Sequence, residues 1–381
     1  MMHLISRYSL KIAVSALGIV VLHCTLFSPC NANEATAGYI DKLGRIVGRF
    51  PVTNGRHEFS DQLALEEEKE FVYFDLDGQK ALSLKGALAG PFAEGLASFG
   101  KYKFKTGFIG KDGNFKIAPE FEAASDFNDS KACIRKNGKC GFIDTTGKPA
   151  VPTKFDSLAQ YSEGLAAAEE NGKIGFIDQS GEWRIPPQYD LVSGFSEGLS
   201  YVANFKSGLS GYIGNDGNIA FKLPVTHNEK AKAIAFFDYG QKIGRGINLM
   251  SGLHKLAIWV PLYPSPKIFH EGLAVSGQQG RFGYIDKSGE FKIKPQFDLA
   301  LPFSNGRALV AVGDKFGFID EAGSPVIPLQ YRKCYSFTEE LAAVQKADGY
   351  WGFVDKQGKF VIPAKFRDAR PFAEGRAWVL Y

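Results

Sequence analysis

A short run of glycine and apolar residues recurs along the chain every 34 to 37 residues. Each run holds a glycine, two apolar residues, usually an aspartate, and a second glycine, as in residues 175–181. Its first position is occupied in turn by Gly38, Val72, Gly107, Gly141, Gly175, Gly211, Gly246, Gly283, Gly317 and Gly352. A fixed period of this length indicates about ten tandem copies of one small supersecondary unit.

Two further landmarks lie between successive runs. One is an aromatic residue shortly before a Glu-Gly pair, at Phe92, Tyr161, Phe195 and Phe372. The other is a proline followed closely by an aromatic residue, within 152–155, 187–189, 295–297 and 363–366.

The strands of one unit can be predicted from its turns. An Asn-Gly pair at 171–172 lies between two apolar stretches, which predicts a β-hairpin of strands 165–169 and 173–178. An Asp-x-x-Gly turn follows at 178–181, where the aspartate can accept turn amides and the glycine can take a positive φ. A third strand follows at 182–185 and is expected to end at proline, which cannot donate to a ladder. Each unit is therefore predicted to be a three-stranded antiparallel meander in an all-β protein.

The middle strand is apolar on both faces, since the adjacent residues Phe176 and Ile177 point in opposite directions. Three short strands cannot cover both faces of their own sheet, so neighbouring units must stack on it. The aromatic residue before Glu-Gly is expected to fill the space between units. The predicted core aromatics are Phe92, Phe195, Phe303, Phe337 and Phe372, each worth roughly 3 to 5 kcal/mol if truncated to alanine.

The two ends of the array are complementary parts of one unit. The array starts with a middle strand at Gly38 and ends with a first strand, 376–381. If the array curves into a propeller-like ring, strand 376–381 pairs with residues 38–41 and removes two exposed edges. The apolar end is a poor cap for an open array, so a ring is favoured. An open superhelix or β-solenoid stays an alternative, because ten units exceed the four to eight blades usual in a propeller.

The three landmarks together resemble the WG-repeat family, also called KWG repeats, over nearly everything after residue 37. Units of that family read Trp-Gly-aromatic-Ile-Asp-x-x-Gly, then Ile-Pro-x-x-aromatic-Asp, then Phe-x-Glu-Gly-Leu-Ala. The tryptophan is kept in Trp351-Gly352, and its place is taken elsewhere by Cys140, Ile174, Phe282 and Phe316. These substitutes are mostly apolar, so the packing role of the position is expected to survive. The resemblance implies a bacterial repeat protein and a fold, but no particular reaction.

Composition agrees with many short strands and turns, because the 381 residues include 43 glycines, 32 phenylalanines and 15 tyrosines. The amino terminus differs from the rest. Two basic residues precede the apolar stretch 12–22, and small or polar residues follow around Ala32, which is the layout of a secretory signal peptide. We expect residues 1–32 to be cleaved and residues 33–381 to be exported as the repeat array. An uncleaved anchor and lipidation are the alternatives.

Charge argues against nucleic acid as a partner. The net charge of +4 falls to about +2 without the leader, since residues 1–32 hold two positive and no negative charges. The lysines and arginines are scattered singly at turns and form no stripe that could neutralise successive phosphates.

Three cysteines follow the leader, namely Cys133, Cys140 and Cys334. An odd number argues against a full disulfide framework. The predicted hairpin register places Cys133 opposite Phe142, so Cys133 and Cys140 are diagonal neighbours roughly 7 Å apart, farther than a disulfide allows. No nearby histidine or CxxC pair supports a zinc site.

The repeated acidic residues are interpreted as structural. One set could suggest calcium sites, but its Asp-x-x-Gly context is a turn signature and lacks the dense oxygen ligands that Ca²⁺ requires. That set is Asp144, Asp178, Asp286, Asp320 and Asp355. Residues 75–78, Asp-Leu-Asp-Gly, are a slightly better metal candidate and are interpreted as a degenerate turn.

A second set of acids could supply the paired carboxylates of a glycosidase. Its members are Glu163, Glu197, Glu271 and Glu374. They recur at equivalent positions of successive units, so one array would hold many identical catalysts. Exposed or turn-bonding roles are therefore expected.

Two stretches depart from the repeat. The stretch 226–270 loses the Glu-Gly landmark and carries the candidate binding residues His227, Glu229, Lys230, Asp238, Lys242, Arg245 and His254. Its glycines Gly240, Gly244 and Gly246 fit no phosphate loop, and drift is favoured over a ligand site as the explanation. Residues 66–70, Glu-Glu-Glu-Lys-Glu, are expected to form a solvated acidic hairpin tip.

The sequence holds no Gly-x-Ser-x-Gly elbow, metal-binding histidine cluster or nucleotide loop, so we expect no catalytic residues, no metal and no cofactor. The favoured function is an exported scaffold that binds another envelope protein or a cell-surface polymer through hairpin-tip residues that differ between units. The alternative is a hydrolase or lyase of polysaccharide or peptidoglycan, working from a groove in the ring.

Overall fold

The computed structural model describes residues 36–51, 58–67, 70–100, 105–223 and 268–381. Residues Thr36–Tyr381 form one compact unit, and the regular structure of the described residues consists of β-strands. Across this part of the chain, no helix has the length and hydrophobicity that a membrane crossing needs.

The strands form nine small antiparallel sheets, numbered here in chain order. Sheet 1 joins both chain ends and contains β1 (Thr36–Asp41), β2 (Ile46–Pro51), β34 (Asp368–Ala369) and β35 (Arg376–Leu380). Sheet 2 contains β3 (Phe59–Ser60), β4 (Leu63–Glu67), β5 (Phe71–Asp75) and β6 (Lys80–Leu84). Sheet 3 contains β7 (Leu88–Ala93), β8 (Leu96–Gly100), β9 (Thr106–Gly110) and β10 (Phe115–Phe121).

The next three sheets repeat this order. Sheet 4 contains β11 (Ala123–Ala124), β12 (Lys131–Lys136), β13 (Lys139–Asp144) and β14 (Pro149–Phe155). Sheet 5 contains β15 (Ser157–Ser162), β16 (Leu165–Glu170), β17 (Lys173–Ile177) and β18 (Trp183–Tyr189). Sheet 6 contains β19 (Leu191–Val192), β20 (Leu199–Asn204), β21 (Leu209–Gly214) and β22 (Ile219–Lys222).

Three sheets complete the set. Sheet 7 contains β23 (Ala274–Gln278), β24 (Arg281–Ile285) and β25 (Phe291–Phe297). Sheet 8 contains β26 (Leu299–Ser304), β27 (Arg307–Val312), β28 (Lys315–Ile319) and β29 (Pro325–Tyr331). Sheet 9 contains β30 (Lys333–Cys334), β31 (Ala342–Gln345), β32 (Trp351–Val354) and β33 (Phe360–Phe366).

The nine sheets close into a ring. Each of the nine hydrophobic clusters of the described residues joins two consecutive sheets, and one of them joins sheet 9 back to sheet 1. An open array of nine sheets has one interface fewer. The protein is therefore a nine-bladed β-propeller.

The terminal strand closes the ring as the sequence predicts. Strand β35 pairs antiparallel with β1, with Gly38 opposite Val379 and Ile40 opposite Ala377. Closure joins the first and last partial units into one sheet. It removes the two sheet edges that an open array would expose.

The count of nine blades, where the sequence indicates about ten units, follows from the contact between sheets 6 and 7. The run at Gly246 lies outside the described residues. The Tyr212 ring of sheet 6 packs against Phe269, with 5.1 Å between ring centroids, and Phe269 leads into sheet 7. The two sheets are consecutive blades although residues 223–273 separate them in the chain.

The prediction of three strands per unit is incomplete in two respects. A further strand, often of two residues as in β19, precedes the predicted three in most sheets. The predicted third strand also does not end at proline, because β18 continues through Pro186 and Pro187 to Tyr189. It tolerates prolines because its ladder with β17 is interrupted there by a bulge.

This bulge carries β18 across the face of β17 at a glycine. Ile185 pairs with Phe176 and Tyr189 with Ile174, so three residues of β18 lie against the single residue Gly175. A methyl group on Gly175 would lie 2.7 Å from the nitrogen of Pro187. The crossing brings the end of β18 to the next sheet, where one residue suffices to link it to β19.

The same crossing occurs at six positions of the ring. The glycines are Gly107, Gly141, Gly175, Gly283, Gly317 and Gly352. Sheet 2 carries Val72 at this position, and its strands β5 and β6 pair residue for residue beside it. Three residues then link β6 to β7, so the sheet that lacks the glycine also lacks the crossing and the one-residue link.

The predicted core aromatics are confirmed. Phe92, Phe195, Phe303, Phe337 and Phe372 are each at most 2% exposed. Phe195 of sheet 6 packs edge-on against Phe176 of sheet 5 with 4.8 Å between ring centroids. The namesake position also packs, since Trp351, Cys140 and Ile174 are buried.

Candidate functional site

Each blade carries a tight turn built from two residues in the left-handed conformation. The first residue of the turn has φ between 49° and 58° and is acidic in eight of the nine blades. These first residues are Asp61, Glu94, Asp129, Glu163, Glu197, Glu271, Asn305, Glu339 and Glu374. Two successive positive φ values define the turn type that joins tight hairpins.

Seven of the eight turn acids bind the backbone of the neighbouring blade. The Glu197 carboxylate accepts the Gly272 amide at 3.1 Å, and Glu374 accepts the Gln62 amide at 2.6 Å across the closure. Equivalent bonds are accepted by Asp61, Glu94, Glu163, Glu271 and Glu339. The repeated glutamates are therefore turn-bonding residues, as the sequence predicts.

The ring of turns lies at the inner rim of the propeller. Besides the carboxylates, the Ser162 hydroxyl donates to the Phe195 carbonyl at 2.5 Å, and Ser196 donates to that of Phe269 at 2.6 Å. Radially arranged sheets approach one another most closely near the axis. Bonds of this length from turn to turn therefore place the turns around the central opening.

Acidification is expected to weaken this ring. Burial opposes the ionisation of Glu197, but the Gly272 amide and the Lys287 ammonium at 3.0 Å outweigh it and hold the pKa below its usual value. A lowered pKa stabilises the fold above the unfolded value of about 4.3, and that stabilisation is lost as pH falls through the folded pKa. Glu197→Gln should cost about 1 kcal/mol at pH 7 and much less at pH 3, measured by thermal unfolding.

A matched control for this measurement is Glu182→Gln, which removes a carboxylate that is 77% exposed and lies 3.9 Å from Lys154. Its effect on unfolding should be near zero at both pH values. If the two variants show the same pH dependence, the ring bond does not stabilise the propeller.

The repeated aspartates also have the predicted turn role. Asp178 accepts the amides of Ser180 and Glu182, and its pKa is lowered chiefly by the Ser180 hydroxyl. Asp75 of the degenerate turn accepts the amides of Asp77 and Gln79 in the same way. Among the described residues no group of histidine, cysteine or acidic side chains is arranged to hold a metal ion.

The opposite face of the disc carries the hairpin tips and the one-residue links between blades. Four of the six one-residue links are acids, and three of these acids bind both neighbouring sheets. Asp156 pairs with Lys139 at 2.5 Å and accepts the tip amide of Asn171 at 2.9 Å. Asp190 and Asp298 repeat this arrangement with Lys173 and Arg281.

Two consecutive blades break this pattern. The link after sheet 8 is Arg332, and the link after sheet 9 is Arg367. Phe316 pairs with Tyr331, so Lys315 and Arg332 occupy the places that Lys139 and Asp156 occupy in sheet 4. Two basic residues, Lys315 and Arg332, therefore lie side by side at the position where sheets 4, 5 and 7 pair a base with an acid.

These blades present an exposed, uncompensated group of cations, which we name the basic tip patch. It consists of Lys315, Arg332, Lys333, Lys365 and Arg367, all exposed. Among the described residues, no carboxylate forms an ion pair with any of the five. Exposed apolar side chains lie at the same tips, with Val312 43% and Tyr350 47% exposed.

A neighbouring arginine is excluded from the patch. Arg370 pairs with Asp368 at 3.0 Å and lies over the rings of Tyr335 and Trp378. Its charge is compensated and its guanidinium is covered by aromatic side chains.

The acidic stretch 66–70 is not the fully solvated tip that the sequence predicts. Glu66 is buried and accepts a hydrogen bond from the Tyr39 hydroxyl at 2.6 Å. Burial, and then the Glu66 charge, raise the pKa of Tyr39. Glu66 thus helps to join sheets 1 and 2.

The three cysteines of the described residues, Cys133, Cys140 and Cys334, are free thiols. The predicted register is confirmed, since Cys133 pairs with Phe142 and Arg135 with Cys140. The Cys133 side chain and the Arg135 guanidinium, 3.6 Å away, lower the pKa of Cys140 to about 7 against the effect of burial. Burial raises the pKa of Cys334.

Most of the divergent stretch 226–270 lies outside the described residues. This includes the candidates His227, Glu229, Lys230, Asp238, Lys242, Arg245 and His254 and the glycines Gly240, Gly244 and Gly246. The described end of the stretch leads into the turn at Glu271, where the His270 amide donates to the Leu273 carbonyl.

The repeat units match a known family of repeats. The family model described as "WG containing repeat" matches residues 107–140, 141–173, 174–206, 282–316, 316–350 and 351–381. Each match begins at or next to one of the six glycines where a strand crosses. No curated protein sequence matches the chain.

Several solved structures are similar in fold. BamB from Moraxella catarrhalis is 10% identical over 90% of this chain and 98% of its own, with a TM-score of 0.45. The computationally designed Ika8 protein is 11% identical over 79% of this chain and 97% of its own, with a TM-score of 0.42. Virginiamycin B lyase from Staphylococcus aureus is 13% identical over 68% and 93%, with a TM-score of 0.33.

Proposed function

Because the chain belongs to the WG-repeat family, whose model matches more than half of its residues, we propose that it is an exported, non-catalytic binding scaffold. Residues 1–32 serve as a signal peptide, and residues 33–381 are the exported propeller. Its partner is another envelope protein or a cell-surface polymer, bound through the face that carries the hairpin tips.

The observation that supports this proposal is a difference between the two faces of the propeller. One face carries recurring acids that hold the blades together, and the other carries residues that vary between blades. The acids that recur from blade to blade are bonded to backbone amides of the next blade, as Glu197 is to Gly272. Such carboxylates are structural, and a catalytic pair cannot be assembled from them without opening the ring. The tip and link residues differ from blade to blade, as the change from Asp298 to Arg332 illustrates.

Affinity capture from a cell-envelope extract tests the proposal. Residues 33–381 are immobilised, and the retained material is examined by mass spectrometry and sugar analysis. The expected result is one component retained at high occupancy and unchanged in length after incubation. Retained glycan that is shortened during incubation would instead establish a hydrolase or lyase and overturn the scaffold. Mass spectrometry of the cellular protein should find its first residue near Asn33.

A further inference from the structure

We propose that the basic tip patch binds an acidic segment of a partner protein that also carries apolar side chains. This inference rests on the proposed scaffold function and gives it a site. The segment lies across the tips of sheets 8 and 9, with carboxylates on Arg332 and Arg367 and apolar groups on Val312 and Tyr350.

The basic tip patch departs from the other blades of the same ring. In sheets 4, 5 and 7, register places a base at the start of β13, β17 and β24 beside an acidic link residue. There the ion pairs measure 2.5 to 2.7 Å. At sheet 8 the same geometry brings together Lys315 and Arg332, and like charges at adjacent positions repel.

Among the described residues, no acid takes the place of a counter-charge beside the link arginines. The link acids of other blades also accept a tip amide, as Asp298 accepts that of Gly313 at 2.8 Å. At sheet 9 the tip instead closes on itself, because Asp348 accepts the Tyr350 amide at 3.1 Å. The link arginines thus make neither the ion pair nor the bond to a tip amide that the link acids make. A carboxylate of the partner forms the missing ion pairs with them.

The exposed apolar side chains at the tips favour an acidic polypeptide over a phosphate polymer. Arginine binds carboxylates and phosphates alike through two parallel hydrogen bonds, so the choice between the two rests on the apolar side chains beside the arginines. Side chains as apolar as Val312 and Tyr350 gain from contact with apolar groups. A polypeptide with acidic and apolar residues covers both, whereas a sugar-phosphate chain leaves the apolar groups uncovered.

Fluorescence anisotropy with a labelled copolymer of glutamate and tyrosine tests the site in residues 33–381. Arg332→Asp is the decisive variant because it installs the acid found at the other links. Lys315 then has an internal partner, as Lys139 has in Asp156, so the variant should unfold at the same temperature or a higher one. Its affinity for the copolymer should fall at least about tenfold, by loss of an arginine and neutralisation of a lysine.

The matched control is Lys154→Asp, which makes the same change of charge on the tip face of sheet 4. It should retain the affinity of the unchanged protein within about twofold, and raising the salt concentration should weaken both. Equal weakening by the two variants, or no weakening by Arg332→Asp, overturns the site. Displacement of the copolymer by inorganic polyphosphate at lower concentration overturns the choice of a polypeptide.

The outcomes separate this site from the proposed function. If the captured envelope component still binds Arg332→Asp, the scaffold stands and the basic tip patch is wrong. If the copolymer binds as expected but no component is captured from the envelope, the patch stands and the export or the partner class is wrong.

Discussion

Replacing Gly175 by alanine is expected to lower the free energy of unfolding by roughly 3 kcal/mol or more, and to prevent folding at elevated temperature. The added methyl group would lie 2.7 Å from the nitrogen of Pro187, and the nearest atoms that it would meet all belong to the backbone of β18. No side chain can rotate away to relieve this overlap. Strand β18 must therefore leave the face of β17, and the single residue Asp190 can no longer reach the next blade. Urea unfolding followed by tryptophan fluorescence measures the loss.

The matched control is Gly172→Ala, at a hairpin tip three residues away. Gly172 has φ of 74°, so alanine is strained there. The added methyl group, however, would have no atom within 4 Å apart from its chain neighbours. The expected cost is about 1 kcal/mol. If the two variants lose the same stability, the crossing is not a steric requirement. Val72 supports the requirement within the native chain, because its sheet has no crossing and a longer link.

Removing residues 376–381 is expected to abolish the folded monomer. This change deletes β35, which lies between β1 and β34 in sheet 1. It exposes two strand edges and removes the buried side chains Trp378 and Val379 from the closure. Size-exclusion chromatography with light scattering should show aggregates in place of a monomer.

A circular permutant separates closure from the loss of chain. The Tyr381 amide donates to the Thr36 carbonyl at 2.9 Å, so a short linker can join these residues. Opening the chain at the tip between Asn171 and Gly172 then gives new ends within an intact sheet. This permutant should remain monomeric and folded. A truncated protein as stable as the permutant would show that the ring does not need its terminal strand.

Local features of the fold were predictable from sequence because their causes are local. The turn at Asp178 depends on four residues, and the amides it binds lie two and four positions later. The inward position of Phe195 follows from the periodicity of one unit. Ring closure was predictable for a different reason, since strand 376–381 completes the sheet that begins at Gly38.

Other features depend on contacts that one unit does not contain. Strand β19 has two residues, Leu191 and Val192, too few for an alternating pattern. The passage of β18 through two prolines was missed because proline was expected to end a ladder, whereas a bulge removes the need for its donor. The number of blades depends on Phe269 packing against Tyr212 across a long stretch of sequence.

The basic tip patch was missed although a signal for it exists in the sequence. Aligning the units in a column places Arg332 and Arg367 below Asp156, Asp190 and Asp298. The departure has meaning only once the register shows that Arg332 lies beside the base Lys315, where Asp156 lies beside Lys139. The stretch 226–270 stands out because it loses the repeat, whereas Arg332 and Arg367 lie inside well-preserved units.

The pairing of β35 with β1 also determines how the molecule responds to mechanical load. Thr36 and Tyr381 lie side by side at one end of an antiparallel ladder. A force that pulls the two chain ends apart therefore breaks the hydrogen bonds between β1 and β35 one after another. The pairing of these two strands is expected to break at low force. In a protein held by its two ends, the closing sheet is therefore expected to be the first sheet to open.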